Sequence, residues 1–330
     1  MVAGKKVLVT GAPGWLGDSL VKELLKKKFD VRCLVLEGMN AEHLKNMGVE
    51  IVRGDLTKKE SLKDSTKGID IVFHCAGIIH PKNIKQLYLL NYEGTKNILD
   101  ESINSGVKKF VYVSSNSPMG TNKRRHKLMK EDDKYNPYKH YGKSKMLAED
   151  YVNKAHKEGK IDVTIIRPCW FYGPNQPLRQ TTFFKMIKKG NPIVFGDGNN
   201  LRSMAYIDNV IQGLLLAATK KEASGQTYWI ADERPYSTLE IYETIAEILG
   251  IKLKPRHLPK LSSSCCRLVD GILQGCGLYN KEIHVAGEMD QDIACSIEKA
   301  KKELGYNPKV SLKEGMEKSI AWCREQGVDI

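Results

Sequence analysis

Residues 7–17, VLVTGAPGWLG, constrain this chain more than any other stretch. Val7, Leu8 and Val9 form a short apolar run suited to a strand buried on both faces. Gly11, Gly14 and Gly17 follow at intervals of three, and SLVKELLKKK then carries a helical apolar pattern. A strand, a glycine-rich turn and a helix start, in that order, make a pyrophosphate site. Gly11 permits the tight turn, Gly14 lets backbone approach the phosphates, and Gly17 lets the helix lie close to the strand. Trp15 and Leu16, at the helix start between the last two glycines, are counted with them as cofactor-binding.

The rest of the first half repeats the strand–helix alternation. Val31–Leu36 is read as a second strand, residues 41–48 as a short helix and Val49–Arg53 as a strand. Ser61 to Lys67 is read as helical, Ile69–His74 as a strand, Asn91 to about Ser105 as a helix closed by Gly106, and Lys109–Val113 as another strand. Alternation of this kind implies a parallel, doubly wound α/β sheet of the Rossmann type. The residue ending the second strand contacts the adenine ribose in such folds. Here Glu37 follows it, a carboxylate that accepts bonds from ribose hydroxyls and repels a 2′-phosphate. NAD is therefore expected, with NADP left open by Arg32 and Arg53. Asp55 and Leu56, in the turn after the third strand, are assigned to the adenine end. Cys75, Ala76 and Gly77 put small residues where backbone passes a bulky ligand.

The strand KFVYV runs directly into Ser114, Ser115 and Asn116, at a carboxyl edge where chemistry gathers in open α/β sheets. Tyr141 and Lys145 stand four apart at the start of a helix and share one face. A tyrosine ionises near pH 10, and a nearby ammonium group together with the positive nicotinamide ring would bring that value down. Lys145 is also placed to hold the nicotinamide ribose, and a serine hydroxyl to orient the substrate oxygen that gains or loses a proton.

TGAPGWLG, GDL, VSSNS, YGKSK and RPCWFYGP together resemble the extended short-chain dehydrogenase/reductase family, which includes nucleotide-sugar epimerases and dehydratases. The resemblance covers nearly the whole chain. It implies Tyr141 as acid/base, Lys145 as its partner and Ser115, five before Gly120, as the substrate-orienting hydroxyl. It implies Asn91 as the helix asparagine near the active site and Pro168 as a further cofactor contact. Ser115 and Asn116 are assigned to substrate as well.

Beyond Val163–Arg167 the strict alternation lapses. Residues 1–174 are read as the dinucleotide-binding domain, with 203–232 returning to it, and 175–330 mainly as a smaller C-terminal substrate lobe. Arg202, in GDGNNLRSMAYIDN, resembles the arginine that clamps the diphosphate of nucleotide sugars; the alternative is a surface arginine. His80, after CAGII, is read as structural or exposed, with an active-site role as the alternative. The leading function is NAD-dependent epimerisation or dehydration of a nucleoside-diphosphate sugar by transient hydride transfer. One alternative is a net oxidoreductase similar to 3β-hydroxysteroid dehydrogenases or dihydroflavonol reductases; VRCLV at the second strand, Asn209 after Asp208 and GQTYWIADERPYS lean that way. Another is a non-catalytic dinucleotide-binding protein, against which the intact YGKSK speaks.

The chain has 330 residues, 41% of them hydrophobic, and a net charge of +13. The lysines are spread along surface helices, and no zinc finger or RNP motif is present, so no nucleic-acid partner is expected. No secretory or 18-residue apolar segment is seen, so no membrane partner is expected either. The eight cysteines show no CxxC pair or metal spacing. No metal, a cytoplasmic location and, from the family resemblance, a homodimer are expected.

Overall fold

The computed structural model describes residues 4–330, apart from the side chain of Arg179; residues 1–3 of the expected first domain lie outside the described residues. Each N-terminal unit starts with a short β-branched strand. The strands are β1 (Lys6–Thr10), β2 (Asp30–Val35), β3 (Glu50–Arg53), β4 (Ile71–His74), β5 (Lys109–Val113) and β6 (Asp162–Pro168). The helices among them are α1 (Trp15–Lys26), α2 (Glu42–Asn46), α3 (Lys85–Leu87), α4 (Gly94–Asn104) and α5 (Lys139–Lys157). After β6 come β7 (Trp170–Tyr172), α6 (Leu178–Lys188), β8 (Ile193–Phe195), β9 (Leu201–Arg202), β10 (Met204–Tyr206), α7 (Ile207–Thr219) and β11 (Gln226–Ile230). The chain ends with β12 (Tyr236–Ser237), α8 (Thr238–Leu249), β13 (Arg256–Leu258), α9 (Lys260–Gly275), α10 (Lys281–Glu288) and α11 (Leu312–Glu325).

Seven strands form one sheet in the order β11-β6-β5-β4-β1-β2-β3, and every pairing in it is parallel. The α/β doubly wound fold is therefore observed. Strand residues alternate between the two faces. Val7 and Val9 enter one core with α1 and α7, and Leu8 enters the other with Leu99, Phe110 and Val152. The winding reverses between β1 and β4, the place where open α/β sheets form a crevice at the carboxyl ends of their strands.

Three expectations about elements are corrected. Ser61–Lys67 is not a helix: a single 3₁₀ turn spans Lys59–Leu62, and the chain after it bends through Asp64 at φ 62°. Arg32 draws that bend inward by donating to the carbonyls of Ser65 and Lys67, at 2.9 and 3.0 Å. Asn91 does not open a helix. The helix starts at Lys85, and Asn91 sits within a π-helical turn, Tyr88–Glu93, between α3 and α4. Leu36 lies beyond β2, in the turn that follows it.

The smaller elements gather at the carboxyl edge. β10 pairs with β7, β12 with β9 and β13 with β8, each as a two-stranded ribbon. α9 and α10 pack on each other and reach the start of α5, where Gln274 accepts from the His140 amide at 3.3 Å.

Candidate active site

The glycine loop is shaped by its own crowding. Gly11 has φ 88°, and a Cβ on it would stand 2.7 Å from the Ala76 nitrogen. A Cβ on Gly14 would meet the Gly11 carbonyl at 2.6 Å, and one on Gly17 the Ala12 nitrogen at 2.6 Å. The turn also needs a bare Gly14 to close on itself. The first helical bond runs from Asp18 to the Gly14 carbonyl, so the amides of Trp15, Leu16 and Gly17 precede the ladder. Gly14, at the N-cap, offers no side chain to satisfy them. An uncapped helix start with bare glycine faces suits a bound phosphate. The Trp15 indole turns away and donates to the Pro174 carbonyl at 2.8 Å, against the Phe171 ring.

At the adenosine end, Glu37 is exposed in the turn after β2. Arg53 closes this turn by donating to the carbonyls of Leu36 and Met39, at 3.0 and 2.8 Å. Arg32 lies in mid-strand and is spent on Glu50 at 2.8 Å and on the Ser65 and Lys67 carbonyls. Asp55 accepts from both the amide and the hydroxyl of Thr57, and Leu56 is buried beneath it.

Behind the crevice, the buried His74 bonds the Thr10 hydroxyl at 2.7 Å and the Thr95 hydroxyl at 3.0 Å. Burial lowers its pKa to about 3, so the ring is neutral. Cys75 bonds the Thr10 carbonyl through its amide, and burial raises its thiol to about 12. Ala76 donates to the Thr10 hydroxyl at 3.3 Å. Gly77 lies beside Asn91, with room for a Cβ only 3.3 Å from the amide oxygen. Asn91 holds the backbone of Ile78 through a donated and an accepted bond, 2.9 and 2.8 Å, and donates to Ser144 of α5 at 3.2 Å. The π-helical turn aims it there.

Ser115, Tyr141 and Lys145 come together at the end of β5. The Ser115 hydroxyl lies near enough to the Tyr141 phenol to favour its ionised form. Ser114 instead carries a buried hydroxyl without a partner among the described residues, its amide given to the Ile166 carbonyl at 2.7 Å. Lys145 is buried, donates to the Val113 carbonyl at 2.7 Å and lies 4.4 Å above the Tyr112 ring. Burial lowers it to about 7, against the pull of Glu149. The expected lowering of Tyr141 by Lys145 is not seen. Burial raises the phenol and the nearby Ser115 opposes that rise; the Lys145 ammonium group is held by the Val113 carbonyl. Asn116 follows Ser115 and accepts from its hydroxyl at 3.4 Å. Pro168 ends β6 beside Ile230 of β11.

Arg202 is buried rather than a surface arginine. It donates to the Glu288 carbonyl of α10 at 2.7 Å, while its Nε is buried without a partner among the described residues. Glu288 lies near enough to be felt by Tyr138, three residues before Tyr141. His80 bonds the Tyr279 hydroxyl at 2.8 Å, tying the loop after β4 to the C-terminal elements. The basic loop at 123–130 is tethered too: Arg125 grips Asp197 with bonds of 2.6 and 2.8 Å. Glu288, Tyr138 and Tyr279, which carry no motif, are brought near Arg202, Tyr141 and His80 only by folding.

A family model for the 3-beta hydroxysteroid dehydrogenase/isomerase family matches residues 8–260. The chain belongs to this family. Within it and around it, the chain is similar to the protein y4nL of Sinorhizobium fredii, 42% identical over 97% of this chain and 96% of the relative. It is 28% identical to a UDP-glucose 4-epimerase of Vibrio cholerae, covering 96% of this chain and 94% of the relative. It is also 28% identical to the human sterol-4-alpha-carboxylate 3-dehydrogenase, decarboxylating, covering 96% and 87%. Among solved structures, the UDP-glucuronic acid 4-epimerase from Bacillus cereus in complex with NAD superposes with a TM-score of 0.77 at 24% identity, over 98% of this chain and 100% of that one. The chain is thus an enzyme of the extended short-chain dehydrogenase/reductase type. The family that matches is the one the oxidoreductase alternative named, and the relatives include an epimerase as well.

Proposed function

We propose that this protein is an NAD-dependent enzyme acting at a secondary alcohol carbon of a nucleoside-diphosphate sugar, with epimerisation or dehydration as the outcome. The observation that carries the chemistry is the cluster of Ser115, Tyr141 and Lys145 beside the glycine-loop crevice. The amides of Trp15, Leu16 and Gly17 would hold the pyrophosphate of NAD, and Glu37 its adenosine ribose. NAD is supported over NADP by Glu37 and by the engagement of Arg32 with Glu50, and a structural neighbour is known with NAD. When bound, NAD supplies the hydride acceptor. Tyr141 exchanges the proton of the substrate oxygen, and Ser115 orients that oxygen. Asn91 fixes the Ile78 backbone at the crevice wall and braces α5 through Ser144. A homodimer, suggested by the family resemblance, and a cytoplasmic location, suggested by the scattered cysteines, belong to this reading.

The substrate assignment rests on Arg202. A buried guanidinium with an orphaned Nε is well suited to bind two phosphate oxygens, and such charge-assisted bonds contribute about 1.5–3 kcal/mol each. The similarity to a UDP-glucose 4-epimerase points the same way. A second reading, net oxidation of a 3β-hydroxysteroid-like alcohol, is favoured by the family match and by the sterol dehydrogenase relative.

Thermal shift with a panel of nucleoside diphosphates and UDP- and dTDP-sugars separates the two. Sugar nucleotides should stabilise the protein, and Arg202→Leu should weaken them about 10- to 100-fold while leaving NAD affinity unchanged. Stabilisation by an apolar alcohol alone, with net NADH production, establishes the second reading instead. On whichever substrate turns over, Tyr141→Phe should retain NAD binding and lose about 10²-fold or more in rate. A near-normal rate removes Tyr141 from the mechanism.

A further inference from the structure

Two cysteines that stand 126 residues apart in the sequence meet inside the protein. The Sγ atoms of Cys169 and Cys295 are 3.4 Å apart, and each residue is only 3% exposed. Both thiols are free, and neither has a part in the chemistry proposed for the site. Cys169 lies between Pro168, which ends β6, and Trp170, which opens β7. Cys295 lies on the chain returning from α10, and its backbone is held on two sides. Its amide donates to the Ser203 hydroxyl at 3.0 Å. On the other side the Met129 amide donates to the Ala294 carbonyl and the Ser296 amide to the Met129 carbonyl, each at 2.9 Å. A disulfide has its sulfurs about 2.05 Å apart, so this pair needs a further approach of about 1.4 Å. A bond there would close a loop holding every element from β7 to α10.

We propose that Cys169 and Cys295 are an oxidative modification site, which a hydroperoxide converts to a disulfide that clasps the segment from β7 to α10 at its two ends. One sulfur attacks a peroxide oxygen, the O–O bond breaks and water leaves, with a sulfenic acid formed on that cysteine. The second sulfur then displaces the sulfenic oxygen as a second water, and the S–S bond forms. The two thiols lose two electrons between them, and hydrogen peroxide is reduced to two molecules of water. The contact with Cys295 and burial together raise the Cys169 thiol well above its ordinary range. The thiolate is the reactive form, so the pair reacts more slowly than the exposed Cys265 and Cys276, and faster as the pH rises. In a reducing compartment both thiols stay free, and the clasp forms only under peroxide stress. No CxxC spacing announces this pair, because the two sulfurs are brought together by β6 and by the chain beside Ser203.

Peptide mapping of the whole protein tests this independently of its substrate. After hydrogen peroxide at mildly alkaline pH, a non-reducing map should contain one crosslinked species that joins the Cys169 and Cys295 peptides, and dithiothreitol should abolish it. The bond restricts the unfolded chain, so the oxidised protein should melt several degrees higher and return to its original melting temperature on reduction. Cys295→Ala should lose both the crosslink and the shift while keeping NAD binding. Cys265→Ser/Cys276→Ser, which removes the faster-reacting thiols, should keep both. The map of the parent protein, with and without dithiothreitol, decides on the crosslink even if Cys295→Ala does not fold. Oxidation confined to the exposed cysteines, or a crosslink that appears only in urea, overturns the proposal. A crosslinked protein that melts no higher than the reduced one overturns the clasp.

Discussion

At the end of β4, His74 has both ring nitrogens occupied by threonine hydroxyls and no route to solvent. Its folded-state pKa of about 3 lies below the ordinary value of 6.5. Between those two values the unfolded chain binds more protons than the folded one. The stability due to a neutral His74 is therefore complete above pH 6.5 and is lost as pH falls toward 3, by at most about 1.4 kcal/mol per pH unit. Urea unfolding at pH 7.5 and pH 5 should show this loss in the parent and a smaller one in His74→Asn. An equal loss in both would mean that His74 does not govern the acid limb. That His74 ends a strand is readable from IDIVFH. That it is neutral is not, because the threonines that enclose it stand 64 and 21 residues away.

α5 is held by the absence of a side chain. A Cβ on Gly142 would come within 2.3 Å of the Ser117 carbonyl, so the helix lies directly on the loop leaving β5. This contact brings Tyr141 to Ser115. Gly142→Ala must push the helix from the loop, since the obstacle is backbone. It should destabilise by about 1–3 kcal/mol and lower kcat while NAD affinity stays near normal. Melting temperature and kcat both at the parent level would refute the close contact. The YxxxK spacing was legible as one helix face; the role of the glycine between them was not, because its neighbour is 25 residues back. The π-helical turn at Asn91 escaped for a related reason. Its period differs from the helices on either side, and tertiary bonds to Ile78 and Ser144 set its aim.

Across the molecule, a buried ion pair joins α5 to the sheet. Arg167 of β6 grips Glu149 of α5 with bonds of 3.0 and 2.6 Å, and the Tyr135 hydroxyl donates to the same carboxylate at 2.7 Å. Removing one partner leaves an uncompensated buried charge, at a cost of about 3–5 kcal/mol. Arg167→Met alone should lose that much in urea unfolding, and Arg167→Met with Glu149→Leu should recover most of it. If the double variant is no more stable than the single, the loss arises from packing and not from the stranded carboxylate.

Local pattern alone determined the parallel α/β sheet, the glycine loop, the Ser115 strand end, the Tyr141–Lys145 face and the family. Each depends on residues within a few positions of one another, where strand and helix periods and glycine's freedom act directly. Tertiary structure alone decided that Arg202 is buried against α10, that Arg32 is tied to Glu50 and that Lys145 is bound to Val113. It also decided that α9 turns its apolar side to solvent. These outcomes depend on desolvation and on partners far apart in the chain. A helix's apolar period states that one face is buried against something, and only the packed molecule shows whether that something is the core.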